Sequence, residues 1–256
     1  MSTLVGHRPD VLHVMGTVVT LDIRDDRRSH DLVARVFDWF HEVDARFSAW
    51  KPDSEVSRYA RGEMDESRLS ADLRGVLATC EQVRIISGGA FDIRHHRPDG
   101  QPDPTGLVKG WSVDRAVALL EAAGATDFSV NAGGDGVVRG HPEPGRSWRV
   151  GIQHPAIRDR VAGVVCGTDL AVATSGTYER GQHITDPRVG APPTGLLSLT
   201  VIGPELGRAD AYATAAFAMG PDGVAWLDGV PDSAGCAITT QDEMIWTPGF
   251  DRYLES

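Results

Sequence analysis

Asp210 and Thr214 stand four residues apart in a run of small residues, Ala209-Asp210-Ala211-Tyr212-Ala213-Thr214-Ala215. On a helix that spacing sets a carboxylate and a hydroxyl on one face. Two hard oxygens with room around them make half a site for a cation such as Mg2+. The same pair also suits a capping acid followed by a threonine bonded back to its own helix. His183 lies just before the Asp186-Pro187 turn in His183-Ile184-Thr185-Asp186-Pro187-Arg188-Val189-Gly190. A loop imidazole titrates near neutral pH and is a candidate general base. A surface or structural role is the ordinary alternative among the 9 histidines of the chain.

Three further clusters bear on anion or ring binding. Asn131-Ala132-Gly133-Gly134-Asp135-Gly136 follows an apolar strand and reads either as a nest of backbone N–H groups or as a tight Asp-Gly turn. No Walker lysine follows it and the glycines do not fit G-x-G-x-x-G, so its role is taken as mainly structural. Asp103-Pro104-Thr105-Gly106-Leu107-Val108-Lys109-Gly110 leads into a helix, whose first N–H groups and Lys109 favour a phosphate. Gly89-Ala90-Phe91-Asp92 and Phe47-Ser48-Ala49-Trp50 are weaker signals. Trp50 would stack on a flat ring if exposed, but core packing is the commoner fate of such a residue.

These residues need elements to position them. Val11 to Ile23 alternates and is β-branched, which predicts a strand. Ser29 caps an expected helix with Leu32, Val36, Phe40, Val43 and Phe47 at three- and four-residue steps. A second helix is expected over 71–87, between Ser70 and Gly88-Gly89, and a third over 109–123 with Val113, Ala116, Val117 and Leu120 on one face. Strands are expected at 128–131, 136–139, 148–153, 161–166, 170–174 and 197–202, with a closing strand at 234–240. Small-residue helix fits 209–219, and a short helix fits 224–227. Without regular βαβ alternation the fold class is α+β, as one domain over 1–256.

Composition narrows the partners. The 256 residues carry a formal net charge of −11 and no long basic run, which argues against nucleic acid. The first ten residues hold no apolar stretch suited to a signal peptide or membrane anchor, so a cytoplasmic location is expected. Cys80, Cys166 and Cys236 are too scattered for a zinc site or a disulfide framework and are expected as reduced core residues.

Taken in order, the clusters resemble the ApbE-like flavin transferases, the FAD:protein FMN transferases. The resemblance begins at Met15-Gly16-Thr17 and continues through Phe47–Trp50, Asp53-Ser54-Glu55-Val56-Ser57-Arg58 and Gly89–Asp92. It then takes in Asp103–Gly110, Val113-Asp114-Arg115-Ala116, Asn131–Asp135 and Trp148-Arg149-Val150-Gly151-Ile152. It closes on Thr174-Ser175-Gly176-Thr177-Tyr178-Glu179-Arg180, His183–Gly190 and Ala209–Ala215. The resemblance implies a T-fold-like architecture of mixed or antiparallel sheets packed with helices. It implies a Mg2+ site at Asp210, Thr214 and a backbone oxygen of Gly106, and an FAD site lined by Met15, Trp50, Ala90, Phe91, Asp92, Asp103 and Lys109. His183 becomes the expected general base, with Asp210 sharing the catalytic role. The implied reaction moves FMN from FAD to a Thr or Ser hydroxyl of an acceptor flavoprotein and releases AMP.

Two departures from the family stand out. Only ten residues, 93–102, separate Asp92 from Asp103, where the family has a longer partly helical stretch that helps wall the nucleotide. The family's Gly-Gly-Ile-Ala run is Thr105-Gly106-Leu107-Val108 here, which is expected to add bulk near the phosphates. The alternatives that keep the scaffold are an FAD pyrophosphatase giving FMN and AMP, a non-catalytic FAD-binding protein, and an α+β enzyme for another small molecule.

Overall fold

The computed structural model describes residues 8–95, 100–157, 159–177 and 184–254. The alternating stretch expected as one strand is two, β1 (Asp10–Val14) and β2 (Thr17–Ile23), paired antiparallel with Val14 opposite Thr17. Met15 and Gly16 form the two-residue turn, both with positive φ (53° and 67°). That is the hairpin geometry matching strand twist, and periodicity does not reveal it because the alternation runs on through the turn.

Helix α1 (His30–Phe47) begins where expected, with the Ser29 side chain accepting from Leu32 N at 3.2 Å. Its buried stripe is Leu32, Val36, Phe40, Val43 and Phe47. Each such side chain contributes roughly 1.5–3 kcal/mol on burial, against about 1 kcal/mol for the cap, so the stripe rather than the cap holds this helix. Helix α2 (Glu55–Ala60), capped by Ser54, was not expected from the sequence. Helix α3 (Ala71–Ile86) has its Ser70 cap in place.

Helix α4 (Thr105–Ala122) begins four residues earlier than expected. Asp103 explains the early start: its Oδ1 accepts from Thr105 N at 3.0 Å and satisfies an orphan first-turn donor. Leu107 and Val108 turn into the core, 1% and 5% exposed, so their bulk fills the interior rather than crowding a phosphate.

The strands β3 (Phe128–Ala132), β4 (Asp135–Arg139), β7 (Leu170–Gly176), β8 (Leu196–Gly203), β9 (Ala234–Thr239) and β10 (Met244–Trp246) join β1 and β2. Together they form one eight-stranded sheet, order β1-β2-β3-β4-β7-β8-β9-β10, with every pair antiparallel. The sheet therefore closes on β10 and not on β9. The fold is α+β, and its sheets are antiparallel throughout.

Alternate residues of the central strands β4, β7, β8 and β9 serve two cores. Val137, Ala171, Ala173, Val201 and Ala237 face the helices. Val138, Leu170, Val172, Ile202 and Cys236 face the separate hairpin of β5 (Trp148–Gln153) and β6 (Val161–Gly167) and the 3-10 turn Pro248–Tyr253. Cys80 and Cys236 are buried, while Cys166 is half-buried, and all three are free thiols. No helix among the described residues is long and apolar enough to cross a membrane.

Helix α5 (Leu206–Ala218) lies on β7 and β8, flanked by α4 and α6 (Asp222–Asp228). Only Arg208 among its residues escapes burial. A helix enclosed on every side needs small residues, which is why alanines dominate it.

Candidate active site

The crossing of α4 and α5 is the centre of the site. Gly110 of α4 touches backbone: a Cβ there would lie 2.5 Å from Leu206 O and 2.8 Å from Gly207 Cα. On the facing helix, a Cβ on Gly207 would lie 3.0 Å from Trp111 N. The two helices meet glycine to glycine. Asp114, one turn along α4, fixes the register, because its carboxylate accepts from Leu206 N at 2.7 Å and Gly207 N at 2.8 Å. It caps α5 from another helix. Burial drives the Asp114 carboxyl up to about 6, and those two N–H groups pull against that rise.

This crossing sets Lys109 of α4 beside Asp210 of α5. Asp210 and Thr214 share a face of α5, as their spacing predicted, and both are buried at 5% and 7% exposure. Neither takes the structural alternative. Asp210 lies past the first turn, and α5 is capped by Asp114 instead. Thr214 Oγ1 meets Ser175 Oγ of β7 at 3.3 Å. Asp210 Oδ2 is buried without a hydrogen-bond partner and sits 3.6 Å from Lys109 Nζ. Burial drives the Asp210 carboxyl up to about 7; Lys109 opposes the rise and the nearby Asp135 adds to it.

Asp135 completes the cluster. It is 3% exposed, forms an ion pair with Lys109 Nζ through Oδ2, and accepts from Thr174 N at 2.8 Å through Oδ1. The β3–β4 hairpin delivers it: Ala132 pairs with Asp135, and the turn is Gly133-Gly134, with φ of 62° and 94°. The turn is therefore Gly-Gly rather than Asp-Gly, and the aspartate belongs to the strand.

With Asp210 ionised, two carboxylates against one ammonium leave the cluster one negative charge, with an orphaned buried oxygen and the Thr214 hydroxyl on the same helix face. That arrangement fits a hard divalent cation completed by ligands from a phosphate substrate or water. Among the described residues no group of three His, Cys, Asp or Glu side chains is arranged to hold a metal by itself.

The remaining predicted residues fall in several places. Met15 is half-buried at the β1–β2 turn. Trp50 is 86% exposed, against the core packing that its type suggested: Ser48 bonds Trp50 N and the chain turns outward between α1 and α2. Ala90 and Phe91 are core residues, 1% and 0% exposed. Asp92 accepts from Arg94 N at 2.9 Å, and His95 Nδ1 lies 3.4 Å from it. Asp103 is 7% exposed and serves the start of α4, with Gly106 in the first turn of that helix. His183 lies outside the described residues.

The ApbE family model matches residues 15–99 and 93–237, which spans every element of this cluster. The chain belongs to the ApbE family. A relative from Vibrio cholerae, described as an FAD:protein FMN transferase, is 32% identical over 84% of this chain and 80% of its own length. One from Haemophilus influenzae with the same description is 24% identical over 81% of this chain and 79% of its own. Among solved structures, the flavin transferase ApbE from Vibrio cholerae superposes with a TM-score of 0.85 at 22% identity, covering 96% of this chain and 99% of that one. The ApbE protein from Thermotoga maritima superposes at 0.86 and 19% identity, covering 98% and 100%. At those identities the structures establish the shared ApbE fold.

Within that ApbE frame, Asp135, Ser175 and Asp114 escaped the sequence reading as site residues. Asp135 was visible only as part of a glycine-rich turn. A usable signal was its place on the inward side of a strand, where an acid needs a partner.

Proposed function

We propose that this chain is a Mg2+-dependent FAD:protein FMN transferase, moving the FMN half of FAD to a Thr or Ser hydroxyl of an acceptor flavoprotein and releasing AMP. One observation carries the proposal: Asp210 holds a buried, unpartnered oxygen 3.6 Å from the Lys109 ammonium, on the same face of α5 as the buried Thr214, in a chain of the ApbE family. Asp210 and Thr214, with a backbone oxygen of Gly106, would hold the cation. Mg2+, when bound there, supplies neutralisation of the charge that builds on the phosphate oxygens.

The chain's own residues then orient the reactants. Lys109 presents an ammonium from the first turns of α4, where the helix N-terminus also favours an anion. Trp50 offers an open face for a flat ring and Met15 a half-buried edge. Ala90 and Phe91 shape the wall from behind, and Asp92 and Asp103 supply its polar edge. His183 is assigned as the base that removes the acceptor hydroxyl proton. The hydroxyl oxygen bonds to the FMN-side phosphorus as the phosphorus–oxygen bond to AMP breaks, so no other reactant is needed. A cytoplasmic address belongs to the same reading.

The test is AMP release from FAD, with and without Mg2+, by wild type and Asp210→Ala, in the presence of an acceptor peptide. The reading expects metal-dependent AMP from wild type, FMN on the peptide, and neither from the variant. AMP with free FMN alone would make the enzyme a pyrophosphatase, and flavin binding without AMP would make it a carrier.

A further inference from the structure

Lys109 is one of only two lysines, with Lys51, among 25 basic residues. Elsewhere among the described residues most paired carboxylates meet arginine, and the other lysine, Lys51, pairs with Asp44 at the surface. At the α4–α5 crossing the chain keeps the compact ammonium, a point charge that can serve one partner without bridging to the next as a guanidinium fork would. That ammonium lies between two buried carboxylates and does not divide itself evenly. It is paired to Asp135 and stands 3.6 Å from Asp210 Oδ2, outside hydrogen-bond distance.

Asp135 is placed to enforce this bias. Its other oxygen accepts from Thr174 N at 2.8 Å, which orients the carboxylate. Its backbone is fixed by the Gly133-Gly134 turn, which packs closely: a Cβ on Gly133 would come within 2.5 Å of Thr17 Oγ1. The partner of the lysine is thus held from both its side chain and its backbone, while Asp210 is left with an orphaned oxygen.

We propose that Asp135 is a positioning residue that anchors the Lys109 ammonium away from Asp210 and so keeps the Asp210 carboxylate open to a divalent cation. This rests on the cation site read above. Without the anchor, the ammonium closes on Asp210 and competes with the cation for the same oxygen. Shortening the 3.6 Å contact to an ion-pair hydrogen bond of about 2.8 Å strengthens it, at an effective dielectric of about 20, by a Coulomb term worth roughly a factor of ten in cation affinity.

The experiment is Mn2+ binding to the full chain without flavin, read by electron paramagnetic resonance. The proteins are wild type, Asp135→Asn, Lys109→Met and the double variant, each first checked for a cooperative melt. Asparagine keeps an acceptor for Thr174 N and replaces the charged acceptor facing Lys109 with an amide NH2. Asp135→Asn should weaken Mn2+ binding about tenfold, by the Coulomb argument above. Lys109→Met should bind Mn2+ at least as well as wild type, and adding it to Asp135→Asn should restore binding to within about threefold of Lys109→Met alone. Wild-type affinity in Asp135→Asn, or a double variant as weak as Asp135→Asn, would overturn the inference. If Asp135→Asn does not fold, Lys109→Met decides alone, since Mn2+ lost in that variant would make the ammonium a support of the site and not a competitor. A wild type that binds no Mn2+ would overturn the cation site itself, and the inference with it.

Discussion

Gly110→Ala is the sharpest probe of how this fold builds its site. A methyl at that position would lie 2.5 Å from Leu206 O, 2.7 Å from Leu206 C and 2.8 Å from Gly207 Cα. All three are backbone atoms, so no side chain can rotate aside, and the helices must separate by about 1 Å to reach ordinary contact. Overpacking of this kind costs about 1–3 kcal/mol, and this contact belongs at the upper end. Separation also stretches the Asp114 bonds to Leu206 N and Gly207 N, a cap worth about 1 kcal/mol. Alanine returns about 1 kcal/mol through helix propensity. The net expectation is a loss of about 2–3 kcal/mol, which lowers Tm by roughly 5–10 °C in a chain of this size. The carboxylate on α5 shifts relative to the groups on α4, and a misplacement of about 1 Å in a catalytic constellation is worth up to about a hundredfold in rate. The assay is urea denaturation alongside FMN transfer, with Gly75→Ala as the control. No atom lies within 4 Å of a Cβ at Gly75, so that exchange should be neutral or stabilising. A Gly110→Ala protein as stable and as active as wild type would refute the argument that this glycine contact sets the site.

Other consequences follow from burial and charge. Asp114 carries a carboxyl raised from 3.8 to about 6, so its stabilising contribution is full below pH 4 and lost as pH rises through 6. Asp114→Asn, which does not ionise, should therefore gain on wild type by up to about 3 kcal/mol between pH 4 and pH 7 in chemical denaturation. A difference that is constant or moves the other way would show that capping outweighs burial. The Asp210 carboxyl, raised to about 7, must lose its proton to bind a cation. Mg2+ affinity measured by calorimetry should fall by about tenfold per pH unit below 7, and affinity constant down to pH 5.5 would contradict this. Trp50→Ala removes an 86% exposed ring, so it should leave the melting curve unchanged while raising the dissociation constant for FAD at least several-fold. An unchanged FAD affinity would exclude stacking on Trp50.

What could be read from the residues divides by distance along the chain. The Asp210–Thr214 pair was legible because helical spacing alone puts both on one face. The α1 stripe and the Ser29 and Ser70 caps were legible for the same local reason. The Met15-Gly16 turn was hidden because β-branched alternation continues through it. Helix α2 is a single short stretch whose apolar residues carry no period, and β10 has only three residues. The start of α4 was hidden because Thr105, Gly106 and Val108 are weak helix formers, and Asp103 rather than propensity decides it. Asp135 and Asp114 were not legible as site residues because their partners lie far off in the chain. Lys109 is 26 residues from Asp135, and Gly207 is 93 residues from Asp114. Only the β3–β4 hairpin and the glycine crossing bring those charges together.

The most direct test is the mass of the acceptor. A peptide carrying one Thr in a flavinylation sequence, incubated with the enzyme, FAD and Mg2+, should gain one FMN group by mass spectrometry. Its Thr→Ala version, the reaction with chelator and the reaction with Asp210→Ala should gain none. FMN appearing on the peptide with Asp210→Ala at the wild-type rate would contradict the account, because transfer would then proceed without the carboxylate at its centre.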